Sequence, residues 1–204
     1  MKQVSAAVLV SGGGTNLQAI IDAVKSKTIT SAKIAVVASN NPNAYALTRA
    51  KQAGIPAVCI DKKGRGLTQE QFEKELQAVL DEYGVQLVVL AGFLCVLTAD
   101  FCEKYQKRII NVHPSLIPKY CGGGFYGLKV HRAVLAAGEK VTGATVHYVT
   151  AVVDGGDIIA QKQVPVLPDD DENTLQRRVM EQAEWVILPQ AVESVSQQIL
   201  KEQS

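Results

Sequence analysis

Short apolar runs rich in β-branched residues alternate with helix-patterned segments through the first half of the chain, and this alternation restricts the fold more than any other feature. The predicted strands cover residues 4–10, 34–38, 56–60, 86–91 and 108–112, and the predicted helices cover residues 15–25, 44–53, 68–83 and 99–105. The fourth strand is apolar on both faces, which is typical of a strand inside a parallel sheet. The series predicts the α/β class with a doubly wound, mainly parallel sheet and right-handed connections.

The pattern changes in the second half of the chain. A predicted helix over residues 128–137 precedes two predicted strands over residues 144–149 and 158–164. Asp154-Gly155-Gly156-Asp157 predicts a tight connection between them, and hence an antiparallel pair at one edge of the sheet. A long C-terminal helix is predicted over residues 173–200, in which Pro189 would allow a bend. The acidic run over residues 169–172 suits the positive N-terminus of that helix better than it suits a metal.

The size and composition of the chain disfavour several classes of protein. With 204 residues and no linker-like segment, it is predicted to form a single domain over residues 1–204. There are 21 basic and 20 acidic residues and no basic stripe, so nucleic acid is not expected as a partner. Neither a membrane span nor a signal peptide is evident, and a cytoplasmic location is expected. The four cysteines and three histidines match no zinc or C-x-x-C spacing, so no metal is expected.

A glycine-rich turn is a candidate phosphate site. Gly12-Gly13-Gly14-Thr15-Asn16 lies between the first predicted strand and the first predicted helix. Free N–H groups at a helix N-terminus bind anions, and glycine lets a phosphate approach the backbone. The alternative is a purely structural turn in which Thr15 or Asn16 caps the helix. Leu17 stands where a dinucleotide fingerprint needs glycine, and no lysine closes the turn as in a P-loop, so a monophosphate is a better candidate than NAD or ATP.

An amide and an imidazole follow the fifth predicted strand. Asn111 and His113 are two residues apart, which on an extended segment places both side chains on one side. The carboxyl edge of an open α/β sheet is where such proteins bind ligands. An amide can stabilise an oxyanion and an imidazole can transfer protons, as acyl transfer requires. Asp154 is either an ordinary turn residue or a carboxylate that orients His113 and favours its protonated form.

Five segments, in this order along the chain, resemble the folate-dependent formyltransferases. They cover residues 11–20, 90–94, 111–118, 143–149 and 154–156, and the central one reads Asn111-Val112-His113-Pro114-Ser115-Leu116-Ile117-Pro118. The resemblance implies a formyltransferase-like variant of the Rossmann fold. It also implies formyl transfer from 10-formyltetrahydrofolate, a co-substrate, to the amine of glycinamide ribonucleotide in de novo purine biosynthesis. Both substrates are small molecules, and the protein would be a monomer or a homodimer.

The resemblance implies roles for individual residues as well. Asn111 would hold the formyl oxygen, His113 would donate a proton, and Asp154 would keep His113 protonated. The ribotide phosphate would be bound by Gly14, Thr15 and Asn16, and Glu184 would contact the glycinamide part. Folate would be bound by Leu94, Val96, Leu97, Asn111, Thr150, Ala151, Val152, Val153 and Asp154.

Three alternatives accompany this interpretation. A tRNA formyltransferase carries a further C-terminal domain and a formyltetrahydrofolate hydrolase a further N-terminal one, and this chain is expected to carry neither. A non-catalytic module that binds a sugar phosphate would need the glycine turn but not the Asn–His–Asp set. Residues 121–127 form either a mobile substrate loop or an insertion, and Lys129 and His131 beside them have no assigned role.

Overall fold

The computed structural model describes residues 2–203, so the two end residues of the predicted 1–204 domain lie outside it. Its centre is a seven-stranded sheet in the order β3-β2-β1-β4-β5-β6-β7. The strands are β1 (Val4–Val10), β2 (Ala32–Ser39), β3 (Ala57–Cys59), β4 (Leu87–Leu90), β5 (Ile109–His113), β6 (Val141–Tyr148) and β7 (Ile158–Pro165). The first five pair in parallel, and β6 runs antiparallel to both β5 and β7. The predicted doubly wound sheet with an antiparallel edge pair is confirmed.

Helices cover both faces of this sheet. They are α1 (Thr15–Lys25), α2 (Tyr45–Gln52), α3 (Gln69–Glu82), α4 (Ala99–Lys104), α5 (Leu128–Ala136), α6 (Glu172–Val179) and α7 (Trp185–Glu202), with a π-helical turn (Met180–Glu184) between α6 and α7. The predicted long C-terminal helix is therefore present, and its irregular turn precedes Pro189, which lies inside α7. Among residues 2–203, no helix is both long and apolar enough to cross a membrane.

The core lies on the two faces of the sheet, as the alternation of buried residues in the central strands requires. On one face, Val8 packs in a cluster with residues of α1 and α7 such as Leu17 and Leu188. On the other face, Leu9 packs with Phe72 and Leu76 of α3. Both faces of β1 and β4 are thus covered, which explains why these strands carry almost only apolar side chains.

The helix boundaries follow from local hydrogen bonds. At α3, Thr68 Oγ1 accepts from Gln71 N at 3.2 Å and the Gln71 side chain accepts from Thr68 N at 3.0 Å, which is a capping box. The predicted acidic run caps α6: Asp171 Oδ1 accepts from Thr174 N at 2.7 Å, and Asp170 pairs with Arg178. These acidic side chains stabilise a helix end, as the sequence indicated.

The strand order reverses between β1 and β4, which creates a crevice at the carboxyl edge of the sheet. The loops after these two strands are joined: Ser11 N donates to the Gly92 carbonyl at 3.0 Å, and Leu94 N donates to Ser11 Oγ at 2.8 Å. One point differs from the sequence prediction. The connection between β6 and β7 is a long loop over residues 149–157, not a tight turn, because the last pair of the ladder is His147 with Ile158 and β6 ends at Tyr148. This loop reaches over the carboxyl edge.

Candidate active site

Strand β5 presents the amide and the imidazole on one face. Asn111 lies opposite His147 of β6, and His113 lies opposite Thr145. Because side chains alternate along both strands, Asn111, His113 and His147 share that face. The β6–β7 register shifts between Val146 and His147, and such irregularities re-aim side chains beside active sites. The sheet thus brings three polar side chains together where β5 ends.

Asp154 lies between the two imidazoles. Its Oδ2 is 3.6 Å from His113 Nδ1, and its Oδ1 is 3.5 Å from His147 Nε2. Gly122 N donates to Oδ2 at 2.9 Å. The backbone of Asp154 is left-handed, with φ 55°, and Gly156 passes so close to the Tyr148 carbonyl that a Cβ there would be 1.9 Å from the oxygen. The Asp-Gly-Gly sequence therefore lets the loop fold back onto the sheet and place a carboxylate there.

The hydrogen bonds determine what each ring can do. His113 Nε2 donates to the Tyr120 carbonyl at 2.8 Å while Nδ1 faces Asp154, so a doubly protonated ring would satisfy both neighbours. His147 Nδ1 donates to the Tyr148 carbonyl at 2.8 Å, so Nε2 is free to accept from the Asn111 amide at 3.2 Å. His147 therefore fixes the orientation of the Asn111 side chain, and one amide N–H of Asn111 stays available for a ligand.

The carboxylate of Asp154 stays ionised in this environment. Burial by itself would raise its pKa, but the neighbouring His147 ring, the charge of His113 and the hydrogen bond from Gly122 N outweigh that effect and hold the pKa below its usual value. Within residues 2–203, no group of three or more His, Cys, Asp or Glu side chains is arranged to hold a metal ion. The polar side chains that meet at the end of β5 are an amide, two imidazoles and a carboxylate.

These side chains lie at one end of a cavity of about 490 Å³ that runs along the carboxyl edge. Of the residues predicted to bind folate, all but Ala151 line it: Leu94, Val96, Leu97, Asn111, Thr150, Val152, Val153 and Asp154. Leu94, Val96 and Val152 are about two-thirds exposed, which is unusual for large apolar side chains grouped together. The glycine loop over residues 122–127 forms another wall. One part of the cavity is therefore lined by exposed apolar side chains, and another by polar ones.

The glycine turn precedes α1 beside the polar end. The carbonyls of Gly12, Gly13 and Gly14 accept from Ala46 N, Arg49 Nε and Gln18 N, respectively. Gly14, not Thr15 or Asn16, occupies the N-cap position of α1, and no side chain caps this helix. Because the first N–H groups of a helix have no intrahelical partner, this turn can receive an anion. Gly14 and Thr15 lie outside the cavity wall, and Asn16 lies in it.

A buried carboxyl group closes the polar end. Asn16 Nδ2 donates to Glu184 Oε2 at 2.6 Å, and Thr15 Oγ1 lies 3.7 Å from Met180 Sδ. Burial raises the pKa of Glu184 to about 7, although the hydrogen bond from Asn16 opposes the shift. Met180 and Glu184 are the first and last residues of the π turn, and π turns are frequent at functional sites. The irregular helix thus places Glu184 against α1.

Two residues that the structure brings to this site were not assigned a role from the sequence. His147 orients Asn111, and a signal for it existed: Thr145 and His147 alternate along β6 as Asn111 and His113 do along β5. His131, in α5, lines the cavity, but a single histidine in a helix carries no such pattern. The sequence could therefore have indicated the first residue and not the second.

The fold and the site define an α/β protein suited to acyl transfer, with oxyanion and proton-transfer groups beside a cavity that has apolar and polar walls. The chain belongs to the formyl transferase family, whose sequence model, described as formyl transferase, matches residues 4–192. The resemblance inferred from the five segments is confirmed.

Individual relatives agree with this membership. The chain is 43% identical over 183 residues to phosphoribosylglycinamide formyltransferase of Haemophilus influenzae. This match covers 90% of this chain and 82% of the relative. It is 46% identical over 180 residues to the trifunctional purine biosynthetic protein adenosine-3 of Drosophila melanogaster, but spans only 13% of that protein's length. The structure of glycinamide ribonucleotide transformylase 1 from Symbiobacterium toebii matches with a TM-score of 0.88 and 39% identity, covering 96% of this chain and 88% of that one.

Proposed function

We propose that this chain transfers the formyl group of 10-formyltetrahydrofolate to the amine of glycinamide ribonucleotide, in de novo purine biosynthesis. The products are formylglycinamide ribonucleotide and tetrahydrofolate. The observation that carries the proposal is the convergence of Asn111, His113 and Asp154 in one cavity with the Asn16–Glu184 pair. The names of the relatives, one a phosphoribosylglycinamide formyltransferase, support the same activity. Residues 1–204 would act as a single domain on two small-molecule substrates.

The two ends of the cavity suit the two substrates. The exposed apolar side chains of Leu94, Val96 and Val152 offer flat surfaces to the pterin ring of folate, which would remove them from water. The uncapped N-terminus of α1 suits the ribotide phosphate, and Glu184 suits the glycinamide end because a carboxyl group can accept hydrogen bonds from an amine. The formyl carbon would then lie between them, beside Asn111 and His113.

In the reaction, the amine nitrogen of the ribotide forms a bond to the formyl carbon, and the bond between that carbon and the folate nitrogen breaks. The Asn111 amide and protonated His113 stabilise the oxyanion that forms between these steps. Removing one such donor typically costs about 3–4 kcal/mol of barrier. The amine loses a proton and the folate nitrogen gains one, and His113 beside Asp154 is the group placed to relay it. Because His113 Nε2 donates to the Tyr120 carbonyl in the free protein, the formyl oxygen would replace that carbonyl on binding.

The first experiment mixes the purified protein with both substrates and follows the mass of the ribotide and the absorbance of folate. We expect the ribotide to gain one formyl group only when protein and both substrates are present. Folate turnover without formylated ribotide would instead indicate a hydrolase or a different acceptor.

The matched variant is His113→Ala. We expect kcat to fall by at least about a hundredfold, because the proton relay and one oxyanion donor are both lost. The folded state of the variant is checked by its thermal unfolding. Unchanged turnover in a folded His113→Ala protein would remove His113 from the mechanism.

A further inference from the structure

His131 is a fully buried histidine whose ring nitrogens have no structural partner among residues 2–203. It lies in α5 with no exposed surface, and neither ring nitrogen has a hydrogen-bond partner in the described part of the chain. Buried polar side chains almost always have a partner, so a ring with two unpartnered nitrogens calls for an explanation. His131 belongs to the wall of the cavity that also holds His113 and Glu184, although its ring nitrogens are closed off from solvent in the free protein, so a ligand would reach them through a shift of that wall.

The position of His131 assigns it to the polar end of the cavity. Helix α5 packs against α6, which continues into the π turn that carries Met180 and Glu184. Gln176 of α6 lines the cavity as well, whereas the exposed apolar side chains, such as Leu94 and Val152, come from the loops that follow β4 and β6. A ligand group near His131 would therefore belong to the substrate held between the glycine turn and His113.

The ring of His131 is uncharged at neutral pH. Burial lowers its pKa to about 4, and the nearby charge of His113 adds to that effect. A neutral imidazole offers one donor and one acceptor, so it matches a hydroxyl or an amide better than it matches a phosphate. Charging both His131 and His113 would bring two positive charges together, which argues against a role for His131 as another proton donor.

We propose that His131 is a binding residue for the acceptor substrate and forms a hydrogen bond with an uncharged hydroxyl or amide group of the ribotide. The inference rests on the proposed function and deepens it, because it adds a contact between the phosphate at the glycine turn and the amine at Glu184. In the free protein neither ring nitrogen of His131 has a hydrogen-bond partner within the described chain. The bound ribotide would supply a partner to one of them. Binding of folate does not involve this contact.

The test uses His131→Leu, with binding of glycinamide ribonucleotide and of a dideaza analogue of folate each measured by calorimetry. We expect the Kd for the ribotide to rise about tenfold, as expected for one hydrogen bond lost to a buried site, and the Kd for the folate analogue to stay unchanged. The melting temperature of the free variant should equal or exceed that of the wild type, because a buried polar group without a partner has been removed. His131→Gln, which keeps a donor and an acceptor, should bind the ribotide better than His131→Leu.

Ser196→Ala is the matched control. The Ser196 hydroxyl is also buried without a partner, but it lies in α7 and outside the cavity wall. Its removal should leave both Kd values unchanged. An unchanged ribotide Kd in His131→Leu, or an equal rise for both ligands, would overturn the inference. So would failure of both His131→Leu and His131→Phe to fold, since the free protein would then need the ring nitrogens. Absence of formyl transfer by the wild type would instead reject the proposed function, so the two failures are distinct.

Discussion

At the scale of single residues, Asp154 determines how the site is charged. One carboxylate faces two imidazoles, one oxygen to each, and its low pKa keeps it negative throughout the neutral range. His147 already has a partner at each ring nitrogen, with Nδ1 donating to Tyr148 and Nε2 accepting from Asn111. The charge of Asp154 is therefore available to His113, the ring that faces acceptors on both sides.

Replacing Asp154 with asparagine should separate charge from shape. Asparagine tolerates the left-handed backbone of this position, and its oxygen can still accept from Gly122 N. We expect kcat of Asp154→Asn to fall by about a hundredfold or more, with a melting temperature close to that of the wild type. Steady-state kinetics at saturating substrates measures the effect.

The control for this prediction is Asp157→Asn, an exposed residue of the same loop. It should leave kcat nearly unchanged. Equal losses in both variants would mean that any change in the loop disturbs the site and that the Asp154 charge has no special role.

At the scale of elements, the turn between β1 and α1 depends on one glycine. Gly14 has a φ of 73°, and a Cβ there would lie 2.6 Å from the Ala46 Cβ and 2.8 Å from the Ala46 Cα. A side chain would therefore be strained by its own backbone and would push α2 away from α1. Gly13 has neither constraint, because nothing lies within 4 Å of its Cβ position.

Gly14→Ala should destabilise the protein by about 1–2 kcal/mol or more, and Gly13→Ala should cost much less. The difference arises from the left-handed conformation and the contact with Ala46, which only Gly14 has. Urea unfolding of both variants measures it. Similar stabilities for the two would show that the turn adapts and that the close approach to α2 is not required.

The elements that the sequence predicted well are those whose pattern is local. The bounds of β1 and α1 follow directly from an apolar run and a helical spacing, and they match the structure residue for residue. The loop over residues 149–157 was predicted as a tight turn, because the Asp-Gly-Gly signal does not show where the ladder on either side ends. Where Asp154 lies depends on that loop folding over the sheet, which is a tertiary effect with no local signature.

At the scale of the whole molecule, one buried carboxyl group links stability to pH. Glu184 has a pKa of about 7 in the folded protein, against 4.5 for an ordinary glutamate. Between these values the folded state holds a proton that the unfolded state has lost, so stability falls as the pH rises through this window. Below about pH 4.5 both states are protonated, and above about pH 7 the penalty is complete. Carboxylates with a low pKa, such as Glu193 at about 2, change stability only at more acidic pH.

Glu184→Gln should remove this pH dependence. We expect the variant to be more stable than the wild type at pH 8, by up to about 3 kcal/mol, and to differ little at pH 4.5. Urea unfolding across this range measures the effect, with the exposed Glu181→Gln as the control from the same π turn. Parallel stability curves for Glu184→Gln and the wild type would contradict a buried, proton-holding carboxyl group.

The sequence around the π turn that carries Glu184 has a spacing of buried residues that differs from the spacing expected of a regular α-helix. A buried residue recurs at every fourth position through α6, the π turn and α7: Leu175, Val179, Ala183, Ile187, Ala191, Val195 and Ile199. A regular α-helix would rotate such a series by about 40° at each step. A π turn holds more residues per turn and takes up part of that drift. The irregular turn therefore reduces the rotation of the buried face between α6 and α7.

This spacing of buried residues makes the C-terminal segment sensitive to chain length more than to residue type. Removing a single exposed residue of the π turn, such as Gln182, would rotate everything before it by about 100° relative to everything after it. Either Leu175 and Val179 would then lose their packing in the core, or Glu184 would lose its hydrogen bond with Asn16, since the shortened segment could not keep both contacts. Substitutions at the same exposed position would disturb neither contact. Among homologous chains, insertions and deletions should therefore be rare between Leu175 and Ile187, even where the exposed side chains vary freely.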